Sequence, residues 1–200
     1  QKQDRLPDEA ALAQAVRDVA QPAYQVGPGQ GVIMRRSGAP LNVDALAKGY
    51  ILDKALAATR TIPAVEGALL DIGGEVAAWG KSPDGDAWRV GVADPAHPQE
   101  NAPPLARLRL RDRAVATSGA YQRYYPVAGR RYSHIVDPRT GMPAEQAAGA
   151  TVVAANCADA DALATTLCVL PPDQGLRLVE SLRNRGADAL KEFAAASALD

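Results

Sequence analysis

The chain has 200 residues, 47% of them hydrophobic and 22% charged, with a formal net charge of −1. That is long and apolar enough to bury a core, which excludes a disordered chain. Nothing in the near-neutral balance advertises a surface for nucleic acid or anionic lipid. Aromatic residues are scarce, at 4%, and alanine is abundant, so a core of small residues and closely packed helices is expected.

Taken in order, "LPDEAALAQAVRDV" predicts a helix opening near Asp8, with acids in its first turn and apolar residues three and four apart. "GVIMRR" reads as a short strand. "NVDALAKGYILDKALAATR" is helical from about Asp44 and carries Gly49 inside it. "GALLDIGGEVAAWG" reads as two strands around a Gly-Gly bend. "WRVGVADP" is a strand ending at proline. The loop Asp94 to Pro104 is rich in proline and polar residues and is expected on the surface. "LARLRLRDRAVATSG" gives a strand, a turn at Arg111-Asp112-Arg113 and a strand ending at Ser118-Gly119. "RYSHIVDPRTGMP" gives a strand over Arg131 to Val136, then two turn signals. "ATVVAA" is a buried strand and "ADADALATTLCVL" a helix. Pro171-Pro172 stops that helix, and "DQGLRLVESLRN" forms the next. The pattern predicts one α+β domain over residues 1–200, with mixed β-sheets and packed helices.

Cys157 and Cys168 lie eleven apart on one predicted helix, roughly 16 Å of rise. A disulfide needs Cα atoms within about 7 Å, so both read as small buried residues. No run reads as a signal peptide or a membrane span. The first residue is Gln1 rather than Met, so removal of an export signal or a longer N-terminus is expected.

Several groupings have both a chemical and a structural reading. Asp161 and Thr165 are four apart on a helix, so their oxygens share one face, roughly 6 Å apart along the axis. Such a pair suits a hard cation such as Mg²⁺; equally, acids near a helix start cap it, and Asp159 is the expected cap. Gly73-Gly74 would let backbone approach a ligand, or simply bend the chain. Ser118 would cradle a phosphate or form a turn. Lys48 would face a phosphate or an electron-rich ring, or pair with Asp44 one turn earlier. Gly49 costs about 1 kcal/mol relative to alanine in a helix interior, which calls for a packing or ligand reason. Of the two histidines, His97 lies in the proline-rich loop and is set aside. His134 stands just ahead of the Asp137-Pro138 turn.

In this order, five segments resemble the bacterial FAD:protein FMN transferases, the ApbE-type flavin transferases. They are "NVDALAKGYILDKAL", "LLDIGGEVAAWG", "AVATSGAYQRYY", "RYSHIVDPRTGMP" and "CADADALATTLCVL", spanning Asn42 to Leu170. "YSHIVDPRTG" followed by "ADALAT" is the most specific part. The resemblance implies an ApbE-like architecture, shortened at its N-terminus, that binds FAD as substrate with Mg²⁺ on its pyrophosphate. A threonine hydroxyl of an acceptor flavoprotein would attack the FMN phosphorus, and AMP would leave. Protein ligands of the metal would be the Asp161 carboxylate, the Thr165 hydroxyl and the Ala45 carbonyl. Asn42, Lys48 and Ile135 would touch FAD, with Ser118, Gly73 and Gly74 as further wall. His134 would be the general base. The resemblance also implies a periplasmic setting or a membrane anchor facing the periplasm, and the charge balance argues for no nucleic-acid partner.

The family pattern reads Asp-Leu-Gly-Gly where this chain has Asn42-Val43-Asp44-Ala45, and often an Asp where Ala120 stands. It also carries further strands and cofactor contacts ahead of the equivalent of Leu6. Their absence would open sheet edges and favour a homodimer or a covering partner. Two rival readings are a non-catalytic FAD-binding module and an FAD diphosphatase that releases FMN and AMP. "AAGAT" looks like a flavinylation target, but Thr151 is expected in the core.

Overall fold

The computed structural model describes residues 5–27, 31–38, 40–95, 97, 102–119 and 123–184, and the backbone of 192–194. Helix α1 (Glu9–Ala20) starts where Asp8 accepts the Ala11 N–H at 2.7 Å, the expected N-cap. Strands β1 (Tyr24–Val26) and β2 (Ile33–Arg35) form a small antiparallel ribbon. Helix α2 (Asp44–Thr59) follows; Asn42 accepts its first N–H, that of Asp44, at 2.7 Å.

The main sheet draws on β3 (Gly67–Ile72), β4 (Glu75–Gly80), β7 (Arg113–Gly119), β10 (Gly149–Ala154) and β11 (Glu192–Ala194). Its order is β11-β10-β7-β4-β3 and every pairing is antiparallel. Among the described residues β3 has an open outer edge. Strands β5 (Trp88–Val92) and β6 (Ala106–Leu110) form a ribbon, as do β8 (Tyr124–Val127) and β9 (Arg130–Ser133). Helices α3 (Cys157–Val169) and α4 (Pro172–Asn184) complete the order.

Side-chain alternation along the strands splits the sheet into two faces. Val76, Ala78 and Val115 point to the β5–β6 ribbon and pack with Leu110, Trp88 and Leu108. Ala77 and Ala114 point the other way, to Leu52, Leu56 and Cys157. Ala116, Val152 and Ala154 continue that face beneath Ala160, Ala164 and Leu167 of α3. Each large apolar side chain so buried is worth about 1.5–3 kcal/mol. Thr151 is buried, as expected, and shares a 2.9 Å hydrogen bond with Thr117.

The abundance of small residues has its largest effect between α2 and α3. A Cβ on Gly49 would fall 2.3 Å from the Cys157 carbonyl oxygen, so the interior glycine is there for close approach of two helices. Asp53 of α2 then accepts the first two N–H groups of α3, from Cys157 at 2.7 Å and Ala158 at 2.9 Å. This cap arrives from another helix. The local cap is Asn156, which accepts the Asp159 N–H at 2.8 Å and donates back to its carboxylate. Asp159 is therefore the capped residue and not the cap, a correction to the sequence reading. Pro172 likewise opens α4, where its missing N–H is harmless.

The strand predicted over Arg131 to Val136 is shorter. It ends at Ser133, and Val136 makes only an isolated bridge to Pro143. The reason is Asp137, whose carbonyl accepts the N–H groups of Thr140 and Gly141 and folds the chain back. Strands β1, β8 and β11 had no sequence signal of their own. Ala120 and part of the loop Asp94 to Pro104 lie outside the described residues. Among those described, no helix is long and apolar enough to cross a membrane.

Candidate active site

A cavity of about 880 Å³ opens where the start of α2, the end of β7, the segment after β9 and the outer face of α3 meet. Eight of the ten residues singled out from sequence line it: Asn42, Ala45, Lys48, Ser118, His134, Ile135, Asp161 and Thr165. Gly73 and Gly74 are not among the lining residues. They form the two-residue turn between β3 and β4, with φ of 65° and 105°, values that suit glycine in a tight hairpin. Gly74 donates to Asp71 at 3.1 Å, so their service is to the turn.

Asp161 lies in the second turn of α3 and is 2% exposed. Its Oδ2 accepts the Gly49 N–H at 3.0 Å, which ties the carboxylate to α2. Thr165, one turn later, shares a 2.9 Å hydrogen bond with the Ser118 hydroxyl. Ser118 is held in turn by its carbonyl, which accepts from Cys168 Sγ at 3.3 Å. Asp161, Thr165 and Ala45 thus line one space; a carboxylate, a hydroxyl and a backbone carbonyl are the oxygens they offer, a donor set that fits a hard cation.

Lys48 does not pair with Asp44. Its Nζ lies 2.6 Å from Oε2 of Glu75, the first residue of β4. Glu75 is 1% exposed. Burial pushes its carboxyl above the usual range, Lys48 pulls it back, and the negative charge of Asp161 adds to the rise. Sequence reading passed over Glu75. Its signal is an acid at the head of an otherwise apolar strand, on the face that alternation assigns to the helices.

His134 stands just after β9, partly exposed, with its Nδ1 2.9 Å from the Arg123 carbonyl oxygen. A carbonyl only accepts, so Nδ1 carries the hydrogen in this contact. In the neutral ring Nε2 then holds the lone pair, the arrangement a general base needs. Arg123 and Arg139 also line the cavity, one on each sequence side of His134. Arg139 clamps Asp137 through three side-chain hydrogen bonds of 2.9, 3.2 and 2.7 Å, and its backbone N–H adds another at 2.9 Å. That guanidinium holds the Asp137 carboxyl below its usual range. Arg123, Arg139, Glu75 and Asp53 are the functional or supporting residues that sequence reasoning missed. His97 stays apart, paired with Asp94 at 3.0 Å in its exposed loop. Burial raises both thiols, Cys157 to about 12 and Cys168 to about 11, so neither is a nucleophile at neutral pH.

Comparison with known proteins identifies the family. The model of the ApbE family matches residues 1–190. An FAD:protein FMN transferase of Treponema pallidum is 36% identical over 94% of this chain and 55% of its own length. One from Vibrio cholerae is 32% identical over 78% of this chain and 48% of its own. Among solved structures, the ApbE protein of Thermotoga maritima superposes with a TM-score of 0.80 at 28% identity, covering 97% of this chain and 62% of that one. The apo flavinyl transferase ApbE of Pseudomonas stutzeri gives 0.72 at 30% identity, over 96% and 59%. The chain spans about half the length of the curated relatives it matches.

Proposed function

The chain belongs to the ApbE family, and on that premise we propose that it serves the transfer of FMN from FAD to a threonine of an acceptor redox protein. The observation that carries this reading is the meeting of His134 with Asp161 and Thr165 around one cavity. The threonine Oγ attacks the FMN phosphorus, its proton passes to His134 Nε2, and the bond to the AMP phosphate breaks. AMP leaves and a phosphoester joins FMN to the acceptor. Lys48 and Arg123 supply positive charge for a diphosphate. Asn42, Ser118 and Ile135 border the bound dinucleotide. Asp161, Thr165 and the Ala45 carbonyl are the residues to hold Mg²⁺, which when bound neutralises charge on the phosphate oxygens.

The test is a titration of FAD with and without Mg²⁺, followed by mass analysis for AMP and FMN in the presence of a threonine-bearing acceptor. Asp161→Ala is expected to abolish the effect of Mg²⁺ on FAD affinity. Identical curves for parent and variant would remove the metal assignment. Free FMN and AMP without an acceptor would mark hydrolysis instead, and FAD retention without AMP release a binding module. On this reading the reaction belongs on the periplasmic side; fractionating cells that express the full-length protein checks that.

A further inference from the structure

Glu75 has no part in the transfer just described, yet it is a fully buried acid on the wall of the same cavity. Its Oε2 makes no polar contact among the described residues other than the 2.6 Å approach of the Lys48 ammonium. A buried carboxylate oxygen held only by an ammonium is costly to keep, so the pairing calls for a use. Lys48 is 42% exposed and carries a flexible four-carbon stem. Its neighbour Gly49 touches Asp161 Oδ2 through the backbone N–H at 3.0 Å. Lys48, Glu75 and Asp161 all line the one cavity, with Thr165 and Ala45, so the ammonium has two carboxylates to choose between, and Asp161 is the one that shares a helix face with Thr165.

We propose that Glu75 is a positioning residue: it draws the Lys48 ammonium to the end of β4 and so keeps it off Asp161. Asp161 is then left with one N–H and an open oxygen side for a divalent cation, while Lys48 stays at the cavity wall for the phosphates. Without Glu75, Lys48 folds onto Asp161 and competes with the cation. The inference rests on the reading of Asp161 as a cation ligand, and the experiment separates the two.

Mn²⁺ binding to the full-length protein, followed by electron paramagnetic resonance, reads the cation site directly, with FAD titration as the second readout. Glu75→Gln is expected to weaken Mn²⁺ about tenfold, and adding Lys48→Met to restore it. Glu75→Asp keeps the charge on a stem shorter by one methylene, a distance the flexible Lys48 can follow; it is expected to bind Mn²⁺ close to the parent. Thermal unfolding of each variant confirms that the fold is retained, and Glu75→Met, neutral and of similar volume, takes the place of Glu75→Gln should that variant fail to fold. If Glu75→Gln binds Mn²⁺ as the parent does, or Glu75→Asp weakens it as much as Glu75→Gln, the positioning role is overturned. If Glu75→Gln stays weak in the Lys48→Met background, Lys48 is not the competitor and the proposal likewise fails. Unchanged Mn²⁺ binding in Asp161→Ala would instead sink the underlying reading of the site.

Discussion

Asp161 sits 2% exposed on a helix that is locked to its neighbour by a glycine contact and a cross-helix cap. His134 sits partly exposed at the foot of a two-stranded ribbon whose residues Tyr124 and Tyr125 face solvent. One wall of the cavity is built from buried backbone contacts, the other from surface turns. On the proposed function the difference follows from what each wall would meet. A cation and a diphosphate would need oxygens and charges fixed to within a fraction of an ångström. A proton acceptor for an incoming threonine would need access from outside.

This contrast can be broken from either side. The largest effect is expected on the open wall: His134→Ala should slow FMN transfer about 100- to 10,000-fold, with FAD affinity close to that of the parent and the fold intact. Single-turnover kinetics against an FAD titration separate the two quantities. On the closed wall, Gly49→Ala forces a methyl against the Cys157 carbonyl. It should cost about 3 kcal/mol or more of stability, seen as a lowered denaturation midpoint, and lose Mg²⁺-dependent binding with it. Asp53→Ala leaves two N–H groups of α3 without their acceptor. A loss of about 1–2 kcal/mol is expected, with Asp53→Asn losing less because one oxygen remains.

The smallest effect is at the turn behind His134. Asp137 titrates below its usual range because of Arg139, so its stabilisation is present above the unfolded value and fades as pH falls through the lowered one. Arg139→Gln should therefore narrow the gap between parent and variant as pH drops, with the full difference near neutrality. Melting temperatures across an acid series would show it; a gap that widens in acid would refute the assignment.

Much of the closed wall is legible from sequence, since it depends on local rules. Asp161 and Thr165 share a face because 3.6 residues make a turn, and α2 starts at Asp44 as its pattern says. The interior Gly49 announced a close contact, although not its partner. What stays hidden is nonlocal. Nothing near Asp53 says that it caps a helix 104 residues away. Lys48 looked towards Asp44 one turn back, but a buried carboxylate on β4 holds its charge more tightly than an exposed one. The Gly73-Gly74 pair shows the converse. Two glycines that read either as cofactor wall or as a bend form the hairpin turn and are not among the residues lining the described cavity.

The bond between Gly49 and Asp161 joins residues 112 positions apart. At a synthesis rate of about 5–20 residues per second, α2 waits roughly 5 to 20 seconds on the ribosome before its partner helix exists. Over that interval the nascent chain lacks the α3 wall of the cavity, so any ligand binding there belongs to the finished protein. Long-range closure of this kind also slows folding, which makes the joining of α2 to α3 the expected late event in refolding.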